Sequence, residues 1–149
     1  EKGLYKDARA VKYWLNLNNI QDDEIILYGE SLGTAIAVDL GKEFDFSGII
    51  LESPFTSMQK LAKIYYPYLP IKLLLKDKYK TDEKIQSIDS SFLIMHGKED
   101  KIVPFFMGKK IFDLAKGPKY SFFVDYDDHM MDYSDSLIDS LDKFIKGLN

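Results

Sequence analysis

Residues 25–40 read Ile25-Ile26-Leu27-Tyr28-Gly29-Glu30-Ser31-Leu32-Gly33-Thr34-Ala35-Ile36-Ala37-Val38-Asp39-Leu40, and this stretch decides the fold. Its first four residues form a short apolar, β-branched run without polar alternation, the signature of a parallel strand covered on both faces. Gly29 is expected to end that strand. From Ser31 onward Leu32, Ala35, Ile36, Ala37, Val38 and Leu40 leave little polar surface, so a helix is predicted there, buried beside the sheet. A strand passing through a tight turn into a buried helix is one step of an alternating α/β chain.

The same step recurs outward from there. Leu4, Ala8, Val11 and Leu15 predict an amphipathic surface helix that breaks at Asn18-Asn19 and needs a sheet to lie on. Gly48-Ile49-Ile50-Leu51-Glu52 predicts a second strand stopped by Ser53-Pro54, followed by a helix through Met58, Leu61, Ala62 and Tyr65. Phe92-Leu93-Ile94-Met95 gives a third strand, Met107, Ile111, Leu114 and Ala115 a helix, and residues 120–124 a fourth strand. Leu137, Ile138, Leu141, Phe144, Ile145 and Leu148 mark a last helix. The expected fold is α/β, a parallel sheet of about four strands with helices on both faces, in a single domain over residues 1–149. Residues 65–80, with Pro67 and Pro70 among tyrosines and leucines, are too irregular for one helix and read as a small lid-like insertion. The lysine series Lys72, Lys76, Lys78, Lys80 and Lys84, interrupted by Asp77, Asp82 and Glu83, reads as a solvated face.

Composition bounds the function. With 20 basic and 24 acidic residues interspersed and a net charge of −4, the chain lacks the clustered cations that phosphate-backbone binding needs, so no nucleic-acid partner is expected. It has no cysteine, which removes disulfides, thiolate nucleophiles and cysteine-held zinc; two histidines far apart in sequence suggest no metal site. No Gly-rich phosphate cradle is evident, and no cofactor is expected. No transmembrane segment or signal peptide is legible, and the chain reads as soluble and cytoplasmic.

The chemistry concentrates in Gly29-Glu30-Ser31-Leu32-Gly33, a G-x-S-x-G between predicted strand and predicted helix. Such a turn holds the serine in strained geometry, and Gly29 and Gly33 are expected to remove side chains that would collide there. The helix N-terminus, with the Leu32 N–H, then points where an oxyanion would form. The plain alternative is an ordinary helix start with Ser31 as N-cap. A serine nucleophile needs a base, and the choice lies between His96, at the end of the third strand, and His129, in the loop after the fourth. Asp100, with Glu99 as its neighbour and competitor, is the candidate acid; Asp127 and Asp128 are read as loop shapers. Ser31, Asp100 and His129 occur in the order of an α/β-hydrolase triad.

On these motifs the chain resembles the α/β-hydrolase superfamily, in its small-lid esterase and serine-aminopeptidase-like branch. The resemblance is carried by Gly29 to Gly33 with the following Leu51-Glu52-Ser53-Pro54-Phe55-Thr56-Ser57, by His96-Gly97 with Asp100 and Val103-Pro104, and by the late His129. It implies Ser31 as nucleophile, His129 as general base, Asp100 as orienting acid and Leu32 N–H as one oxyanion donor. It implies cleavage of a small acyl ester, thioester or amide; aminopeptidase-like cleavage, with Glu30 or Glu52 as amine contacts, and a truncated non-enzymatic domain are the alternatives. Tyr65, Tyr68 and Leu69 of the insertion are expected over the Ser31 pocket, where they suit an apolar acyl group. By that resemblance the chain is expected to match only the C-terminal portion of the family pattern, without the early strands and the loop that supplies a second oxyanion N–H. Losing one such donor costs about 10²- to 10³-fold in turnover. The strand at 25–28 is then expected to be an exposed edge, open to pairing with another strand.

Overall fold

The computed structural model describes residues 1–148; Asn149, the last residue of the expected domain, lies outside the described residues. Four parallel strands, β1 (Ile26–Glu30), β2 (Gly48–Glu52), β3 (Ser91–Gly97) and β4 (Lys119–Val124), pair in sequence order. The helices between and around them are α1 (Lys2–Leu17), α2 (Leu32–Gly41), α3 (Met58–Tyr65), α4 (Ile71–Leu74), α5 (Thr81–Lys84), α6 (Phe105–Leu114) and α7 (Asp135–Lys146). The fold is the expected α/β sheet covered on both sides.

The two central strands explain why. Successive side chains of a strand point to opposite faces, so Ile49, Leu51, Phe92 and Ile94 meet Ala37 and Val38 of α2 and Ile111 of α6 on one face. Ile50, Leu93 and Met95 meet Leu137 and Phe144 of α7 on the other. Unbroken apolar runs are therefore required, because neither face of β2 or β3 sees water. Helix α7 starts on Ser134, whose hydroxyl accepts the Leu137 N–H.

Four expectations are corrected. Strand β1 does not stop at Gly29 but runs to Glu30, which pairs with Glu52, because Gly29 has no side chain to keep α2 from crossing directly above it. Nor is β1 covered on both faces: at the sheet's edge Tyr28 is 45% exposed. Helix α1 lies on α2 rather than on the sheet, held there by Arg9 to Asp39 at 2.8 Å, while Tyr5 packs against Tyr79 just ahead of α5; none of its residues is fully buried. The lysine series is not one solvated face either. Lys84 turns in to Asp39 and Tyr5, Asp82 is buried with Lys60 as partner, and the chain then drives Ile85 and Ile88 into the core. Among the described residues β1 has β2 as its single strand partner.

Candidate active site

Strand β1 ends at Glu30 and α2 begins at Leu32, so the whole change of direction falls on Ser31, at φ 49° and ψ −114°. For a residue with a Cβ this is strained backbone. It is held by Ser31 N–H donating to the Glu52 carbonyl at 2.9 Å, and by Thr34, whose N–H and hydroxyl donate to the Ser31 carbonyl at 3.1 and 2.6 Å. The Ser31 hydroxyl makes no capping bond to α2, which removes the N-cap reading. The two glycines differ from expectation. A Cβ on Gly29 would stand 2.5 Å from the Gly33 carbonyl oxygen, whereas one on Gly33 would meet nothing within 4 Å. The turn needs Gly29 because the Gly33 backbone packs on it; Gly33 is not needed for want of space.

The loop leaving β3 fixes the acid. Asp100 Oδ1 accepts the N–H groups of Ile102 and Val103, both at 2.8 Å, and its side chain is sealed from water. Oδ2 lies 2.8 Å from His129 Nδ1, and His129 Nε2 lies 3.1 Å from Ser31 Oγ. A carboxylate only accepts, so Nδ1 carries the proton and Nε2 turns its lone pair toward the serine hydroxyl. Glu99, the competitor, is exposed. The loop bearing His129 seats against Gly97, where a Cβ would be 2.3 Å from the Asp127 carbonyl oxygen. Asp127 and Asp128 act in that loop: the first accepts the Glu99 N–H through its backbone at 3.0 Å, the second accepts the Met130 N–H at 2.9 Å.

Of the three insertion residues, Tyr65 donates through its hydroxyl to the carbonyls of Lys101 and Ile102, at 2.9 Å for the latter, so it leans on the acid-bearing loop. Tyr68 is 97% exposed, and Leu69 lines a groove with α3 and α5. An open cleft of about 340 Å³ has His129 in its wall, with Ile102 and Met130.

No protein-family model matches the chain. It is 38% identical over 120 residues to an uncharacterized protein of Mycobacterium tuberculosis, covering 80% of this chain and 43% of that protein. It is 34% identical over 132 residues to alpha/beta hydrolase domain-containing protein 17B of Homo sapiens, covering 87% and 44%. Among solved structures, acetyl xylan esterase 1 from Thermoanaerobacterium sp. JW/SL YS485 superposes with a TM-score of 0.75 at 16% identity, over 97% of this chain and 52% of that one. The chain belongs to the α/β-hydrolase superfamily. It spans less than half the length of the curated relatives it matches.

Two sets of contacts at the site of this α/β-hydrolase were not legible in its sequence, where Glu52 stands only as a candidate amine contact and Ser53 only within a motif. Ser53, fully buried at φ 49°, donates its hydroxyl to the His129 carbonyl at 3.3 Å. Glu52, 2% exposed, accepts from Tyr28 and, at 3.2 Å, from Tyr133, four residues after His129; the two hydroxyls sit 2.7 Å apart. Burial, then Glu52, pushes the Tyr28 phenol up. Tyr133 is drawn down by Tyr28 but pushed up overall by burial and Glu52, so both stay protonated donors. Proximity of two segments 105 positions apart leaves no local periodicity to read.

His96, the other candidate base, sits behind the acid instead. Its Nε2 is 2.9 Å from the Val103 carbonyl and 3.2 Å from Asp100 Oδ2, while Nδ1 has no partner and faces Gly108. Both neighbours of Nε2 accept, so Nε2 carries the hydrogen. Burial holds the ring below its ordinary value of 6.5, against the pull of Val103 and Asp100. Because the folded ring binds its proton less readily than the unfolded one, its contribution is complete above pH 6.5 and is lost as pH falls below it, at up to about 1.4 kcal/mol per unit. Urea midpoints are expected to fall as pH drops below 6.5, and nitrogen-detected NMR is expected to show the His96 ring holding its neutral form to lower pH than a free imidazole does; a ring that protonates at or above 6.5 contradicts the assignment.

Proposed function

We propose that this chain carries the nucleophile, base and acid of a serine hydrolase that cleaves carboxylic esters through an acyl-enzyme. The observation that carries the reading is the continuous row from Ser31 Oγ through His129 to Asp100, at 3.1 and 2.8 Å. Ser31 Oγ attacks the ester carbonyl carbon as its proton passes to His129 Nε2, and the carbonyl electron pair moves onto oxygen, facing the Leu32 N–H at the start of α2. Collapse breaks the bond to the leaving alkoxide, which takes the proton from Nε2. Water then repeats the attack on the acyl-enzyme, and Ser31 recovers its hydrogen. Asp100 keeps Nδ1 protonated throughout and steadies the imidazolium.

The substrate class follows from the walls. Glu99, Asp127, Asp128 and Asp132 outnumber Lys101 in the cleft beside His129, a field that repels anions and suits an uncharged ester. Tyr65, at the edge of the same loop, is kept in the proposal as an acyl contact. Ester cleavage is preferred to aminopeptidase-like cleavage because Glu52 is buried and already holds two tyrosine hydroxyls. A second oxyanion N–H belongs to the proposal as well: the free edge of β1 runs straight into Ser31, and a strand paired along residues 25–28 is suited to deliver it.

A fluorophosphonate probe is expected to label Ser31 and nothing else, as read by peptide mass spectrometry, and p-nitrophenyl acetate and butyrate are expected to turn over where aminoacyl anilides do not. An unlabelled Ser31 in folded protein overturns the proposal. Tyr133→Phe tests the tether of the His129 loop. It leaves Glu52 with one donor, and is expected to lower stability by about 1 kcal/mol and kcat by about three- to tenfold with KM nearly unchanged.

A further inference from the structure

Residues 60–80 hold six lysines against a single acidic residue, Asp77, in a chain whose net charge is −4. Two of the six are engaged, Lys60 with Asp82 and Lys80 with Glu83. Lys63, Lys72, Lys76 and Lys78 are exposed and form no ion pair among the described residues. Charge of one sign gathered in one segment, against the balance of the rest, is the first of three observations.

The second is what stands between those lysines. Helix α4 turns Ile71 inward to 9% exposure and thereby turns Leu73 and Leu74 out, to 85% and 61%. Tyr66, Tyr68 and Leu69 are exposed beside them. Such side chains have no acceptor or donor for a polar partner except the phenol tips, whereas tyrosine and leucine with flanking lysine match the graded polarity of a lipid headgroup layer. The third is that the segment is held in place. Met58 N–H bonds the Lys78 carbonyl at 2.9 Å, Asp82 N–H bonds the Thr56 carbonyl at 3.0 Å, and the Tyr65 hydroxyl is held on Ile102. The apolar tips are thus presented by a fixed platform, adjoining the exposed Ile102 on the acid-bearing loop.

We propose that this face docks on an anionic membrane surface. Tyr68, Leu73 and Leu74 enter the headgroup layer, and Lys63, Lys72, Lys76 and Lys78 meet lipid phosphates and carboxylates. The docking does not depend on the chemistry of Ser31.

The test is cosedimentation of the 149-residue chain with 100-nm vesicles of phosphatidylcholine alone or with about 30% phosphatidylglycerol, at 0.1 and 0.5 M NaCl. Binding is expected to be at least tenfold stronger to the anionic vesicles at low salt, and to fall to the neutral level at high salt. Each lysine near such a surface contributes roughly fivefold, so Lys72→Gln with Lys76→Gln is expected to weaken binding about 25-fold. Leu73→Ser with Leu74→Ser is expected to weaken it at least tenfold. Both pairs are exposed, and far-UV circular dichroism checks the fold; the lipid and salt series on the unsubstituted chain decides the matter even if a variant misfolds. Ser31→Ala is expected to bind as the parent does, which separates this inference from the hydrolase reading. Equal binding to both vesicles overturns it, as does lysine-independent binding or capture of an acidic protein without vesicle binding.

Discussion

Ser31→Ala is expected to abolish fluorophosphonate labelling and to lower kcat on p-nitrophenyl butyrate by about 10⁶-fold, to a residual rate still above buffer. The magnitude follows from what the hydroxyl does. It is the atom that bonds to the acyl carbon, and without it His129 can only assist a water that no other group positions; removal of the nucleophile in a complete triad costs on the order of 10⁶-fold. The Leu32 N–H serves the water-driven background as it serves the parent enzyme, so its contribution divides out and the ratio reports the triad alone. Folding is not at stake. The hydroxyl makes no bond to α2, and the turn is held by the backbone of Ser31 and by Thr34. Relief of φ 49° is not on offer either, since alanine keeps a Cβ. A variant that keeps its label, or turns over within tenfold of the parent, removes Ser31 from the mechanism.

The parts of this molecule that were legible in its sequence are those set by local physics. Strands β2 and β3 had to be unbroken apolar runs because helices cover both faces, and α2 declared its burial through Ala35, Ala37 and Val38. Gly29 was legible as part of a turn, but which glycine the turn requires is a matter of distance between backbones, 2.5 Å at Gly29 and open space at Gly33. His129 was separable from His96 by chain order alone. That His96 lies behind the acid was not legible, because its burial comes from Phe105 and Gly108 on α6, packed across the sheet. The Glu52, Tyr28 and Tyr133 cluster escaped for a similar reason: it is assembled from two strands in register and a distant loop. Residues 65–88 were the least legible. Irregular chain takes its course from tertiary anchors, here the Tyr65 hydroxyl, Lys84 on Asp39 and the buried Ile85. No hydrophobic period records these.

Asp100→Asn is the substitution in which the geometry of the acid loop makes the sharpest demand. The Ile102 and Val103 N–H groups both donate to Oδ1 at 2.8 Å, so the new amide must keep its oxygen there; turning the amide nitrogen toward two N–H groups would set donors against donors. The amide NH₂ is thereby forced onto His129 Nδ1, which must give up its hydrogen and accept. The imidazole then carries its proton on Nε2, facing Ser31 Oγ at 3.1 Å, and is no longer a base toward the serine. His96 adds to the conflict, because its Nε2–H, 3.2 Å from Oδ2, loses an acceptor and meets a donor. With shape preserved and one tautomer reversed, kcat on a p-nitrophenyl ester is expected to fall about 10⁴-fold. The contrast with Ser31→Ala is in the labelling. Asp100→Asn retains the hydroxyl, so the fluorophosphonate is expected to react with Ser31 to completion, but at a rate lower by about 10³- to 10⁴-fold in a time course. A labelling rate within tenfold of the parent, in protein whose circular dichroism is unchanged, means that the carboxylate does not set the histidine tautomer. The row of three side chains then does not work as a relay of positioned protons.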